Sequence, residues 1–355
     1  MTSILDSRAK IQEIDKHNLL GSVEALPDQI QDAWEQTNHL TFPSDYPKVK
    51  NIIVSGMGGS ALGALVIKRL FKDELQLPLE IYSHYHLPGY ASSESLIILS
   101  SYSGSTEETL SAAKEATRLG AKVAVITGGG KLAKLAQANN WPIYLIDTKY
   151  NPCGQPRMAI GYAVFGMLSM FAKMGLINIS SVEVLNIVDK LKEQVSHLGP
   201  DGDNDMAKLM AFALYDKHVI FVAAEHLIGA AHVMNNQLNE NAKSLTSEWH
   251  LPEFNHHYME ALSYPKLAKE TTVFFFFNSA LYHERVQKRV LLTKSLVEQQ
   301  GYETQMILST TDTKLEQVFE VIQIAEFVSA YLPVIYGIDA SGIPNVDWFK
   351  AEMNK

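Results

Sequence analysis

Asn51-Ile-Ile-Val-Ser55-Gly-Met-Gly-Gly-Ser60-Ala-Leu-Gly63 decides the fold. Ile52, Ile53 and Val54 form a short apolar run that stops at Gly56, and from Ala61 to Phe71 apolar residues recur at helical spacing. A strand that breaks on glycine and opens straight into a helix reads as the start of a βαβ unit. The pattern continues outward. Residues 79–83, 95–101, 122–127 and 142–147 are further short β-type runs, with helical character over 106–119 and 130–138. Strands alternating with helices predict parallel pairing, and parallel strands covered on both faces read as continuous apolar runs, as these do. Residues 155–198 read as helical. The plan then repeats, with strands over 218–224, 271–277 and 304–309 and helices over 228–238, 280–299 and 315–335. The expectation is an α/β protein of two lobes, each a mostly parallel sheet flanked by helices in a three-layer αβα arrangement. A helical segment over 1–44 precedes a first domain at 45–200 and a second at 201–355, with the acidic turn Asp201-Gly-Asp-Asn-Asp205 at the boundary.

Composition narrows the function. The chain has 355 residues, 46% hydrophobic and 19% charged, the profile of an ordinary globular protein. Its one cysteine, Cys153, excludes an intramolecular disulfide and any multi-cysteine metal site, and suits a reducing cytoplasm. A formal charge of −9 speaks against nucleic acid as a partner, although a local nest of N–H groups can hold a small anion on an acidic protein. Asp6, Arg8 and Lys10 interrupt any signal-peptide core. Residues 321–338 are apolar, but Gln323, Glu326, Ser329 and Pro333 within them predict a buried helix and no membrane span.

The glycine turn has three readings. Gly56, Gly58 and Ala61 fit a dinucleotide fingerprint, but the second strand ends in Tyr82-Ser83, where that fingerprint needs an acid. A tight turn without ligand is the second reading, and an anion at the helix N-terminus the third. Ser100-Ser-Tyr-Ser-Gly-Ser-Thr106 after the third strand favours the anion: five of these seven residues carry Ser/Thr hydroxyls, whereas capping the next helix needs one. Ligands of parallel sheets bind outside the carboxyl ends of the strands, where two such loops face each other. No Gly-Lys-Ser/Thr is present to make a nucleotide P-loop.

Strand-GMGGSALG followed by strand-SSYSGSTEET resembles the sugar isomerase (SIS) domain. Asn151-Pro-Cys-Gly-Gln-Pro-Arg157, Asn239-Glu-Asn-Ala-Lys243 and Pro252-Glu-Phe-Asn-His256 extend the likeness. In this order, from about residue 45 onward, the five motifs resemble the bifunctional phosphoglucose/phosphomannose isomerase branch of the phosphoglucose isomerase superfamily. The resemblance implies two SIS lobes and a homodimer with sites at the interface. It implies a cofactor-free enzyme that interconverts glucose 6-phosphate or mannose 6-phosphate with fructose 6-phosphate.

Such a reaction needs a base, a cation over the developing oxyanions and a means of opening the sugar ring. The resemblance assigns Glu240 as the base and Arg157 as the cation. It assigns His256, reaching into the neighbouring subunit's site, to ring opening, with Lys350 assisting. Phosphate contacts transfer to Gly59, Ser60, Ser101, Ser103 and Thr106. Where the family commonly shows Asp-Pro-Thr-Pro, this chain has Asp339-Ala-Ser341-Gly342, so Ser341 stands for the threonine beside C2 of the sugar. His250, His256 and His257 lack metal-ligand spacing, no metal is expected, and His257 reads as structural or rim. Two rivals stay open: an isomerase of an amino-sugar or pentose phosphate on the same loops, and a non-catalytic sugar-phosphate-binding regulator. The combination of Glu240, Arg157 and His256 argues against the regulator.

Overall fold

The computed structural model describes residues 4–353 and 355. The chain forms two compact units, one of Ala25–Glu193 with Lys314–Phe319, the other of Met1–Glu24, Gln194–Thr313 and Glu320–Lys355.

The first unit is built on five strands, β1 (Asn51–Ser55), β2 (Leu79–Tyr82), β3 (Ser95–Ser101), β4 (Lys122–Thr127) and β5 (Ile143–Leu145). They pair in parallel in the order 2-1-3-4-5. All seven residues of the central β3 are buried, which accounts for its unbroken apolar reading. Ile53, Ile97, Leu99, Val123 and Val125 share a core cluster with Ala112, Ala113 and Ala116 of the Glu107–Leu119 helix. Each fully buried aliphatic side chain of this kind contributes about 1.5–3 kcal/mol. Gly63 decides a second contact. A Cβ there would lie 2.6 Å from the Ala163 carbonyl oxygen, so only glycine lets the Gly59–Leu70 helix approach the Ile160–Lys173 helix at backbone distance. From β1 the order runs one way to β2 and the other way to β3. This reversal opens a crevice between the loops that follow β1 and β3.

The second unit holds β6 (His218–Ala223), β7 (Thr246–His250), β8 (Thr272–Ser279) and β9 (Glu303–Ser309), all parallel, in the order 7-6-8-9. Phe274, Phe275, Phe276 and Phe277 on β8 are at most 1% exposed, as strand core. The strand β7 escapes the periodicity reading. Thr-Ser-Glu-Trp-His has no apolar run, and every one of its residues is only half-buried at the sheet edge. Its pairing with β6, from Val219–Thr246 to Ala223–His250, makes it a strand. The acidic turn lies inside this unit: Asp201 accepts from Arg8 Nε at 2.9 Å and Asp203 pairs with His197 at 2.6 Å.

Residues 155–198 are not one helical stretch. A 3-10 turn at Pro156–Met158 precedes the helices Ile160–Lys173 and Ser181–Leu198, separated by a turn in which Gly175 has φ +70°. Among the described residues one helix, Lys314–Tyr336, is long and apolar enough to cross a membrane, and 89% of its apolar window is buried within the protein.

Candidate active site

Two helices of the first unit begin at the crevice without a side-chain cap. Gly58, with φ +49°, precedes Gly59–Leu70, and Thr106 precedes Glu107–Leu119. Thr106 occupies the capping position, but its hydroxyl is paired with Ser101 Oγ at 2.8 Å and makes no cap bond. The first N–H groups of an uncapped helix are donors with a partial positive charge, suited to an anion.

Hydroxyls stitch the two loops together. Ser100 Oγ donates to the Ser60 carbonyl at 2.8 Å, and the Tyr102 N–H donates to Ser60 Oγ at 3.0 Å. Ser101 Oγ accepts from the Gly104 N–H at 3.1 Å, and Ser103 Oγ from the Ser105 N–H at 3.3 Å. Ser101 is buried, Ser60 and Thr106 are half-buried, and Ser103 is exposed. At the rim, Tyr85 donates to Glu107 in the first turn of the second helix at 3.0 Å.

Arg157 lies beside these loops. Gln155 precedes the 3-10 turn, and Pro156, with its fixed backbone φ, is the first residue of the turn and stands immediately before Arg157. Arg157 is 1% exposed, and its Nη1 donates to Gln155 Oε1 at 3.0 Å. Gly59 is packed against the same turn. A Cβ on it would lie 3.1 Å from the Pro156 carbonyl and 3.2 Å from the Arg157 nitrogen. Gly59, Ser60, Tyr102 and Pro156 line one small cleft.

A link between the hydroxyl loop and the arginine turn was not legible in advance. Buried Asn151 donates through Nδ2 to Tyr102 Oη at 3.1 Å and to the Gln155 carbonyl at 3.0 Å. Burial pushes the Tyr102 phenol up, against the opposing pull of its hydrogen bonds with Asn151 and Thr148, so it stays protonated. All three residues, Tyr102, Asn151 and Gln155, stand within the motifs quoted above. Their pairing is a tertiary fact.

In the second unit Glu240 occupies the last turn of the Ile228–Asn241 helix, half-buried. Lys243, with φ +56°, donates through Nζ to the Glu240 carbonyl and to the Ala340 carbonyl, the latter at 3.0 Å. One ammonium thus ties the Glu240 turn to the segment carrying Ser341, and places a cation at a helix C-terminus. Ser341 is 4% exposed, and its N–H donates to Asp339 Oδ1 at 2.9 Å. Burial pushes Asp339 up, but the bonds from Ser341 and His17 outweigh it and hold the carboxyl below its ordinary range. His256 and His257 are both exposed on the short Phe254–His257 helix, and the His257 ring packs edge-on against Trp249. Lys350 is exposed on Pro344–Met353, a helix with no buried residue. Among the described residues no group of three or more His, Cys, Asp or Glu side chains is placed to hold a metal ion.

Residues 46–153 match the SIS domain family and residues 203–353 the bacterial phospho-glucose isomerase C-terminal SIS domain. A bifunctional phosphoglucose/phosphomannose isomerase of Caldicellulosiruptor bescii is 30% identical over 94% of this chain and 98% of its own length. The chain belongs to the bifunctional phosphoglucose/phosphomannose isomerase family. Another member of this isomerase family, from Aquifex aeolicus, is 28% identical over 88% of this chain and 92% of its own. Among solved structures, a hypothetical protein from Thermus thermophilus shares the fold with a TM-score of 0.75, at 15% identity over 99% of this chain and 93% of that one.

The loop geometry makes a prediction about this family member. Gly104 has φ +64°, and a Cβ there would lie 1.8 Å from the Gly129 carbonyl oxygen. Gly104→Ala costs about 1–2 kcal/mol for the left-handed backbone alone, before the overlap displaces the loop after β4. The expected result is a lowered urea midpoint together with a KM for sugar phosphate raised about tenfold or more. A variant with unchanged midpoint and KM refutes the loop geometry.

Proposed function

We propose that the chain interconverts glucose 6-phosphate or mannose 6-phosphate with fructose 6-phosphate through an enediolate. The observation that carries this reading is the pair of uncapped helix N-termini converging with Ser60, Ser101, Ser103 and Thr106 on one crevice. That arrangement suits a phosphate monoester and needs no lysine. Phosphate held there anchors the sugar, so binding energy remote from the reacting carbons orients them.

The chemistry then requires few groups. In the aldose-to-ketose direction Glu240 takes the proton from C2 and returns it to C1, while the hydroxyl and carbonyl oxygens exchange roles. Arg157 stabilises the negative charge that develops on O1 and O2. The imidazole of His256 delivers a proton to the ring oxygen as the hemiacetal opens, with Lys350 assisting, and Ser341 borders C2, where the two aldoses differ. Hydrogen moves within one molecule, so no redox cofactor enters the balance. We read the active form as a cytoplasmic homodimer in which His256 serves the neighbouring site. The exposure of His256, and of Trp348 (65%) and Phe349 (56%) on the Lys350 helix, supports this reading.

A second reading rests on a relative named D-glucosamine-6-phosphate 4-epimerase, from Sulfolobus acidocaldarius, which is 29% identical over 66% of this chain. The same phosphate loops would accept an amino-sugar phosphate. The deciding experiment is turnover of glucose 6-phosphate, mannose 6-phosphate and glucosamine 6-phosphate with and without EDTA. Turnover of one or both hexose phosphates, indifferent to chelation, is expected. Activity confined to the amino sugar favours the second reading. Loss with EDTA that zinc restores overturns the metal-independent chemistry, and a thermal shift without any turnover identifies a sugar-phosphate-binding regulator.

A further inference from the structure

From Val321 onward the Lys314–Tyr336 helix is apolar but for a polar stripe. Gln323, Glu326 and Ser329 recur every three residues, and all are 0% exposed. The Ile228–Asn241 helix presents Gln237 and Asn241 to it, also 0% exposed. Gln237 Nε2 donates to Glu326 Oε1 at 3.1 Å, and Asn241 Nδ2 donates to Ser329 Oγ at 3.1 Å. Ser329 Oγ in turn donates to the Glu326 carbonyl at 2.9 Å. These two interhelical bonds bracket Glu240, which sits one helical turn after Gln237 and immediately before Asn241.

This seam is a poor device for stability. Both amide atoms of Gln323, and Glu326 Oε2, have no hydrogen-bond partner among the described residues. Buried polar groups left unpaired are costly, and an apolar seam of the same volume would serve packing better. Leucines on facing helices can slide and repack. A hydrogen bond between Gln237 and Glu326 allows one axial register, and register decides where the last turn points its carboxylate. Burial, only partly opposed by the Gln237 bond, pushes the Glu326 carboxyl well above its ordinary range, which favours its neutral form in the seam.

We propose that Glu326 is a positioning residue, fixing through Gln237 the helical turn that carries Glu240. This inference rests on the reading of Glu240 as the base. The test compares Glu326→Leu, Glu326→Gln and Glu240→Gln in the full chain by kcat, KM, melting temperature and the primary isotope effect with C2-deuterated aldose phosphate. A misplacement of about 1 Å in a reacting group costs on the order of a hundredfold in rate. Glu326→Leu is therefore expected to lower kcat about 10- to 100-fold, with KM within about threefold, the melting temperature unchanged or raised, and a larger isotope effect. Glu326→Gln keeps the shape and the neutral acceptor, and is expected to restore kcat to within about threefold of the parent.

The proposal is overturned if Glu326→Leu keeps the parent kcat and isotope effect, if its kcat falls only in step with its melting temperature, or if Glu326→Gln is as impaired as the leucine variant. Should Glu326→Leu fail to fold, Gln237→Leu removes the same bond from the other helix and is read by the same outcomes. Parent-like turnover in Glu240→Gln sinks the base assignment itself. An inactive Glu240→Gln beside a fully active Glu326→Leu sinks this inference alone.

Discussion

Glu240→Gln lowers kcat by about two to four decades, the range that removal of a general base produces. The amide keeps the volume and one oxygen of the carboxylate but cannot take up a proton from carbon. Glutamine is isosteric with the half-buried Glu240 in the last turn of its helix, so the fold is expected to stay intact, with a cooperative melting transition retained. KM is expected to change little, since the phosphate contacts we propose belong to other residues. Two measurements check it: coupled turnover of fructose 6-phosphate, and exchange of the C2 hydrogen of the aldose phosphate with solvent, which should fall together. Turnover near the parent rate, with exchange intact, ends the assignment of the base.

Arg157→Lys is the second large effect. The side chain is almost wholly buried, with Nη1 donating to Gln155, and it follows a proline that leaves the backbone little freedom. Lysine preserves the charge but loses the planar fork, and its compact ammonium cannot bond Gln155 and two vicinal oxyanions in the same geometry. Losing one such preorganised donor costs about a hundred- to a thousandfold in kcat. Because charge is conserved and Ser60, Ser101, Ser103 and Thr106 are untouched, KM is expected to stay within about threefold. A variant that loses affinity while keeping kcat would place Arg157 on the phosphate and away from the enediolate.

The sheets were legible because their central strands are buried on both faces. Such strands must be apolar along their whole length, as β1, β3, β4, β6 and β8 largely are. The edge strand β7 was hidden for the converse reason: with every residue half-buried, Thr246 to His250 carry no periodic signal. The hydroxyl loop was equally plain, because five Ser/Thr hydroxyls crowd into residues 100–106 of one continuous segment. What each hydroxyl does was not. Thr106 stands at a capping position, yet bonds Ser101.

Local composition and spacing therefore determined the class of fold, the hydroxyl content of the crevice loop and the family, since each depends on residues adjacent in the chain or repeated at a regular interval. The tertiary structure alone decided the Tyr102–Asn151–Gln155 link, the Lys243 tie between Glu240 and the Ser341 segment, and the Glu326–Gln237 bond 89 positions apart. A hydrogen bond of about 3 Å depends on both partners arriving in one register. No periodicity in a single segment encodes where a distant segment will dock.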